Sequence, residues 1–161
     1  MEFPVYVAAA AAFFFILMAV IPPVYTAIFP GSVPAEEDLM GYTFTEHTDL
    51  PLHIHPRLEI MINGQNVTVP AGIGITEQGM RVIHTHDESG RIHIESPRAH
   101  QFYLKDFFSI WGERFDGKCI SDYCEDHDHA IRLIVDGAES RAYQDLPLED
   151  GQSIEIVYGR S

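Results

Sequence analysis

Cysteine is almost missing from this chain of 161 residues: Cys119 and Cys124 are the only two, with four residues between them. No Cys-x-x-Cys-His run exists, which removes c-type haem attachment. Lysine and arginine are also scarce, 10 against 24 Asp and Glu, for a net charge of −14. No basic stripe is available to neutralise phosphates, so nucleic acid is excluded as a partner. Gly-x-Ser-x-Gly, Ser-x-x-Lys and a phosphate-cradling glycine loop are all lacking. Gly72 and Gly74 in "PAGIGI" read as relief of a turn or bulge. The five methionines are scattered, which argues against a thioether cup for Cu(I).

What is present begins with an apolar N-terminus. Between Phe3 and Ala35 the only ionisable side chains are Tyr6 and Tyr25, and "VYVAAAAAFFFILMAVI" is continuous apolar sequence. As a helix it spans about 25 Å at about 1.5 Å per residue, a little short of the roughly 30 Å hydrocarbon core. "PPVYTAIF" completes the span, with a kink or stop at Pro22 and Pro23 and interfacial anchors at Tyr25 and Phe29. Residues 1–29 are therefore read as a single-pass transmembrane anchor in contact with membrane lipid. The alternative is a cleaved signal peptide ending in "VPA" before Glu36. Against it stand the length of the apolar run and an n-region, "MEF", without Lys or Arg. An Asn66-Val67-Thr68 sequon, the two close cysteines and the acidic C-terminal part favour a domain on the extracytoplasmic side, with Asn66 as a glycosylation candidate. Residues 30–42, "PGSVPAEEDLMGY", read as a linker rich in Pro, Gly and acids. Residues 43–161 form one β-rich domain, with 46% hydrophobic composition over the whole chain to supply a core.

Strand signals dominate that domain. In "LEIMINGQNVTVPAG", Asn63-Gly64 between alternating runs predicts a type I′ hairpin. The pairing sets Leu58, Ile60 and Ile62 opposite Val69, Val67 and Gln65 on a core face, with Glu59, Met61, Asn66 and Thr68 on the other. In "RVIHTHDESGRIHIES", a turn at "DESG" pairs His86 with Arg91, His84 with His93 and Val82 with Glu95. Ile83, Thr85, Ile92 and Ile94 then face the core, and His84, His86, His93 and Glu95 share the opposite side. "PLHIHPRLEI" repeats the pattern, burying Leu52 and Ile54 and turning His53 and His55 away, with Pro56 stopping the strand or placing it at an edge. Beside the hairpin it would gather five imidazoles and a carboxylate into one patch.

"LKDFFSIWG" carries Leu104, Phe107, Phe108 and Trp111 at the spacing of a short amphipathic helix, with Gly112 as its stop. Two further strands follow, through Ile131, Leu133 and Val135, and through Ile154 and Ile156. A hairpin, a helix lying across a sheet, then two strands ending in "LEDGQSIEIVYG" resembles the β-grasp arrangement over about residues 57–159: an α+β domain with a mixed sheet, one packed helix and an inserted His-bearing hairpin. An immunoglobulin-like or cupredoxin-like β-sandwich is the alternative.

The segments "HIHPRLEIMINGQNVTVPAGIGI", "HTHDESGRIHIESP" and "FYLKDFFSIWG" are also similar to those of an uncharacterised family of membrane-anchored extracytoplasmic archaeal and bacterial proteins. That resemblance spans about residues 52–112. It implies that His53, His55, His84, His86, Asp87 and His93 act as a unit, and it implies no particular activity.

Imidazole is the commonest protein metal ligand, and His-x-His on a strand presents two rings on one face. Nitrogen-rich ligation points to copper or zinc and away from calcium or magnesium. The candidate metal residues are His53, His55, His84, His86, His93, Asp87 and Glu95. The competing interpretation of the same histidines is half-buried polar side chains hydrogen-bonded to Glu95, Asp87 or Thr85. "CISDYCEDHDHA" offers a looser Cys₂His₂ set of Cys119, Cys124, His127 and His129, against a Cys119–Cys124 disulfide outside the cell. Three functional expectations follow. The first is a tethered copper- or zinc-binding module, accessory to an integral-membrane partner such as a copper monooxygenase-type complex. The second is a hydrolase-like metalloenzyme with Asp87, Glu88 or Glu95 as general base. The third is a structural subunit without metal.

Overall fold

The computed structural model describes residues 36–46 and 50–161. The expected membrane helix and the first part of the linker lie outside the described residues. Among the described residues, no helix is long and apolar enough to cross a membrane.

The chain is α+β, mostly strand with one α-helix among the described residues. Its strands are β1 (Thr43–Phe44), β2 (Leu52–Ile54), β3 (Arg57–Ile62), β4 (Gln65–Val67), β5 (Ile75–Thr76), β6 (Gly79–Arg81), β7 (Ile83–His84) and β8 (His93–Ser96). Helix α1 (Leu104–Trp111) follows. Then come β9 (Cys119–Ile120), β10 (Tyr123–Cys124), β11 (His129–Val135), β12 (Ala138–Ser140) and β13 (Ser153–Arg160).

The largest sheet has the order β12-β11-β13-β3-β4. Its centre is the parallel pair β13 and β3, in register Ile154 to Leu58 and Ile156 to Ile60, with antiparallel neighbours on both sides. Alternation dictates what is buried: Leu58, Ile60 and Ile62 on β3, Ile131 and Leu133 on β11, and Ile154, Ile156 and Tyr158 on β13 point into one core. Leu104, Phe107 and Phe108 of α1 enter the same core, and Trp111 packs at its margin. The helix closes at Gly112, whose N–H donates to the Phe108 carbonyl. Leu39, only 1% exposed, joins the core from a 3₁₀ turn over Glu36–Gly41, so packing reaches back into the stretch read as linker.

Asn63 and Gly64 both take positive φ, 52° and 79°, the type I′ geometry that the hairpin demands. The register is Ile60 to Val67 and Ile62 to Gln65. The expected core face fails on the second strand of this hairpin, where Val67 is 40% exposed and Gln65 is exposed as well. β4 is the edge of the sheet, with a neighbouring strand on one side only. Asn66 and Thr68 are exposed there as well.

Two three-stranded sheets each combine one strand from before β3 with two from the stretch between β4 and α1. One has the order β1-β6-β5 and the other β2-β8-β7. The second carries the histidines. Its ladder pairs Ile83 with Ile94 and His84 with His93, and the Glu95 N–H donates to the Val82 carbonyl at 2.8 Å.

The expected pairing of His86 with Arg91 does not occur. Past His84 the backbone is claimed elsewhere: Thr85 donates to the Ile73 carbonyl and accepts from Gly72, while Ile92 donates to Pro56. The arms therefore separate, and Arg91 bridges to Arg57 instead. The histidine side of the hairpin runs from exposed at His86 through half-buried at His93 to sealed at His84 and Glu95. His84 and Glu95 are 0% and 1% exposed, as deeply buried as Ile83 and Ile94 on the opposite side. Leu52 and Ile54, expected to be buried, are half-buried because β2 is an edge strand.

Candidate metal centre

Three adjacent strands bring the imidazoles together. β8 is the middle strand, with β7 on one side and β2 on the other. His53 lies directly opposite Glu95 on the β2 and β8 ladder, and His84 lies opposite His93 on the other. Period 2 then puts His53, His84, His93 and Glu95 on one face, with His55 and His86 following at the strand ends.

His84 is the most constrained ring. Its Nδ1 is 2.9 Å from the Arg81 carbonyl oxygen. A carbonyl only accepts, so Nδ1 carries the proton of the neutral ring and Nε2 presents its lone pair. That Nε2 lies 3.1 Å from Nε2 of His86. With the His84 proton on Nδ1, this contact is a hydrogen bond in which His86 Nε2–H donates to His84 Nε2, and its length is close to the separation of about 3.3 Å between ligand nitrogens in a tetrahedral site with Zn–N bonds of about 2.0–2.1 Å. The hydrogen bond to Arg81 is the outer support that metal-binding imidazoles generally carry. Phe44 packs its ring at 70° against His84, 5.8 Å between centroids.

Glu95 lies beneath the rings. Its Oε1 is 3.2 Å from His53 Nε2, 3.9 Å from His93 Nδ1 and 4.0 Å from His84 Nε2. A buried carboxylate surrounded by three imidazoles from three strands is a site that favours positive charge. His93 is 18% exposed, and its Nδ1 is buried with no hydrogen-bond partner. Burial, followed by the neighbouring imidazoles of His86, His55 and His84, pulls its pKa down to about 4, with Glu95 opposing. The ring is neutral at ordinary pH, the form that coordinates metal.

Two sets of three imidazoles have ligand atoms within 4.8 Å of one another: His53, His55 and His93, and His84, His86 and His93. Of the residues singled out from the sequence, these five and Glu95 meet. Asp87 is exposed, and its Oδ1 accepts the Ser89 N–H at 2.9 Å. Hydrogen bonds from Ser89 hold its carboxyl below the usual range, and it belongs to neither set.

Cys119 and Cys124 are joined by a disulfide, so neither is available to a Cys₂His₂ site. His129 turns to Asp126, Nδ1 to Oδ1 at 2.9 Å, and His127 is exposed.

Comparison with protein-family models, with curated proteins and with solved structures gives no match.

Three partners escaped the sequence. The Arg81 carbonyl, the Phe44 ring and Asp150, whose Oδ1 accepts the His55 N–H at 2.9 Å and lies 3.7 Å from His55 Nδ1, are set by packing. No local pattern connects His55 with a carboxylate 95 residues away.

Proposed function

We propose that this chain is a membrane-anchored extracytoplasmic module that binds copper or zinc, accessory to an integral-membrane partner. The observation that carries the metal reading is the His84 ring. Its proton is committed to the Arg81 carbonyl, and its other nitrogen is aimed at a second imidazole nitrogen 3.1 Å away, above a buried carboxylate. Nitrogen donors with one carboxylate suit both ions.

Several features support the location. A disulfide fits an oxidising compartment, the exposed Asn66 leaves room for a glycan, and the apolar run of residues 5–21 suits a membrane span. The large sheet also supports a β-grasp architecture: the β3-β4 hairpin, a helix, and a central last strand parallel to β3, with β5 to β8 inserted between hairpin and helix and β2, ahead of the hairpin, completing the sheet that carries the site.

Metal analysis of the full chain purified in mild detergent tests the reading, with His84→Ala and His93→Ala as comparisons. The expected result is copper or zinc in the wild type and its loss in both variants. Equal metal content in all three would end the proposal. Co-purifying proteins in the same detergent test for the membrane partner.

A further inference from the structure

We propose that the imidazole cluster is a two-ion centre in which His93 is the ligand common to both positions, completed on one side by His53 and His55 and on the other by His84 and His86. The inference rests on the metal-binding reading and goes beyond it in number and connectivity.

The topology makes His93 the shared member. It stands on β8, the middle strand, while His53 belongs to β2 and His84 to β7. Its ring meets His55 edge-on at 4.7 Å and His86 edge-on at 4.7 Å between centroids, and it stacks on His84 at 5.4 Å. Neither close set contains an imidazole from both outer segments. One ion therefore does not collect His53 and His55 together with His84 and His86. Imidazole has two ring nitrogens, both able to bind metal once deprotonated, so a single ring can serve two ions. The proton that His93 releases on bridging passes to solvent, as for any metal-bound ligand that must deprotonate.

Glu95 offsets part of the added charge. Two dications close together repel strongly in a low-dielectric site, and Glu95 reaches both sets, with Oε1 3.2 Å from His53 and 4.0 Å from His84. The two positions are unequal. His84 is fully buried and held by Arg81, whereas His53 is 44% exposed. The position at His84 and His86 is preorganised and fills first, and the position at His53 and His55 fills second and exchanges faster.

The test titrates the untagged full chain, stripped with a chelator, with Zn²⁺ by calorimetry and with Cu²⁺ by electron paramagnetic resonance. The wild type is expected to take up two equivalents, and the paired variants His53→Ala/His55→Ala and His84→Ala/His86→Ala one each. In the Cu²⁺-loaded wild type, coupling through the shared ring is expected to leave the signal short of two independent spins. Saturation of the wild type at one equivalent would overturn the two-ion centre while leaving the metal-binding reading intact. Persistence of the second equivalent in His53→Ala/His55→Ala would also overturn it. Uptake of no metal by the wild type would remove both. The wild-type stoichiometry decides the matter even where the buried His84 replacement impairs folding.

Discussion

His53 Nε2 lies 3.2 Å from the Oε1 of Glu95, across a ladder in which the two residues are direct partners. One side chain is substantially exposed and the other is sealed from solvent. The pair thus runs from the surface of the small sheet to the base of the imidazole cluster, and Glu95 is the one carboxylate in the cluster with no solvent to compensate it.

Replacing Glu95 by Gln keeps the volume and removes the charge. Metal affinity is expected to fall by roughly 10–100-fold, the usual effect of losing a group that orients or neutralises around metal ligands. Competition against a chromophoric chelator measures it. An affinity equal to wild type would separate Glu95 from the centre.

Acid should weaken the metal-free protein through His93. The unfolded ring takes a proton near 6.5, while the folded ring resists until about 4. Between those values the unfolded chain binds more protons, so stability rises with pH. The contribution is complete above about 6.5 and is lost progressively as pH falls to about 4. Urea midpoints with chelator present, at about pH 7 and about pH 5, should differ in the wild type and converge in His93→Gln.

Thr85 separates the two β7-side ligands and is fully buried. Its hydroxyl donates to the Pro70 carbonyl at 2.8 Å and accepts the Ile73 N–H at 3.1 Å. Thr85→Val preserves shape and strands both partners, and should cost about 1–3 kcal/mol. Denaturant unfolding reads this directly. A change within error would mean that the 70–73 loop finds other partners.

Glycine replacements should rank by what surrounds them. Gly64 has φ 79° and open space, so Gly64→Ala meets only the left-handed backbone penalty of about 1–2 kcal/mol. Gly90 has φ 78°, and a Cβ there would collide with the Leu58 carbonyl, which accepts nothing from Gly90 yet lies against it because the Leu58 N–H donates to the Gly90 carbonyl at 2.8 Å. Gly90→Ala should lower the melting temperature well beyond Gly64→Ala. Equal melting temperatures would contradict this close approach.

Much of the site's register was legible because period 2 is a strict constraint. Asn63-Gly64 and the facing of His84 with His93 both follow from alternation and turn chemistry within a few residues. Where tertiary contacts compete, alternation stops informing. Thr85 reads as a core position, and it is one, but its backbone bonds to residues 72 and 73 are what part the hairpin arms before His86. Val67 alternates like a core residue and is exposed because sheet order made β4 an edge. The adjacency of β2 and β8, which carries His53 and His55 into the cluster, is a long-range pairing with no local signature.

Between β2 of the small sheet and β3 of the large one stand only His55 and Pro56. Pro56 is buried and its carbonyl accepts the Ile92 N–H at 2.9 Å, while the next residue, Arg57, donates to Gln152 at 2.8 Å. A candidate ligand and a rigid imino ring thus form the covalent connection between the two strands. With so short a connection, opening at the ligands and fraying of the first rung of the central parallel pair are expected to appear as one cooperative event in amide exchange.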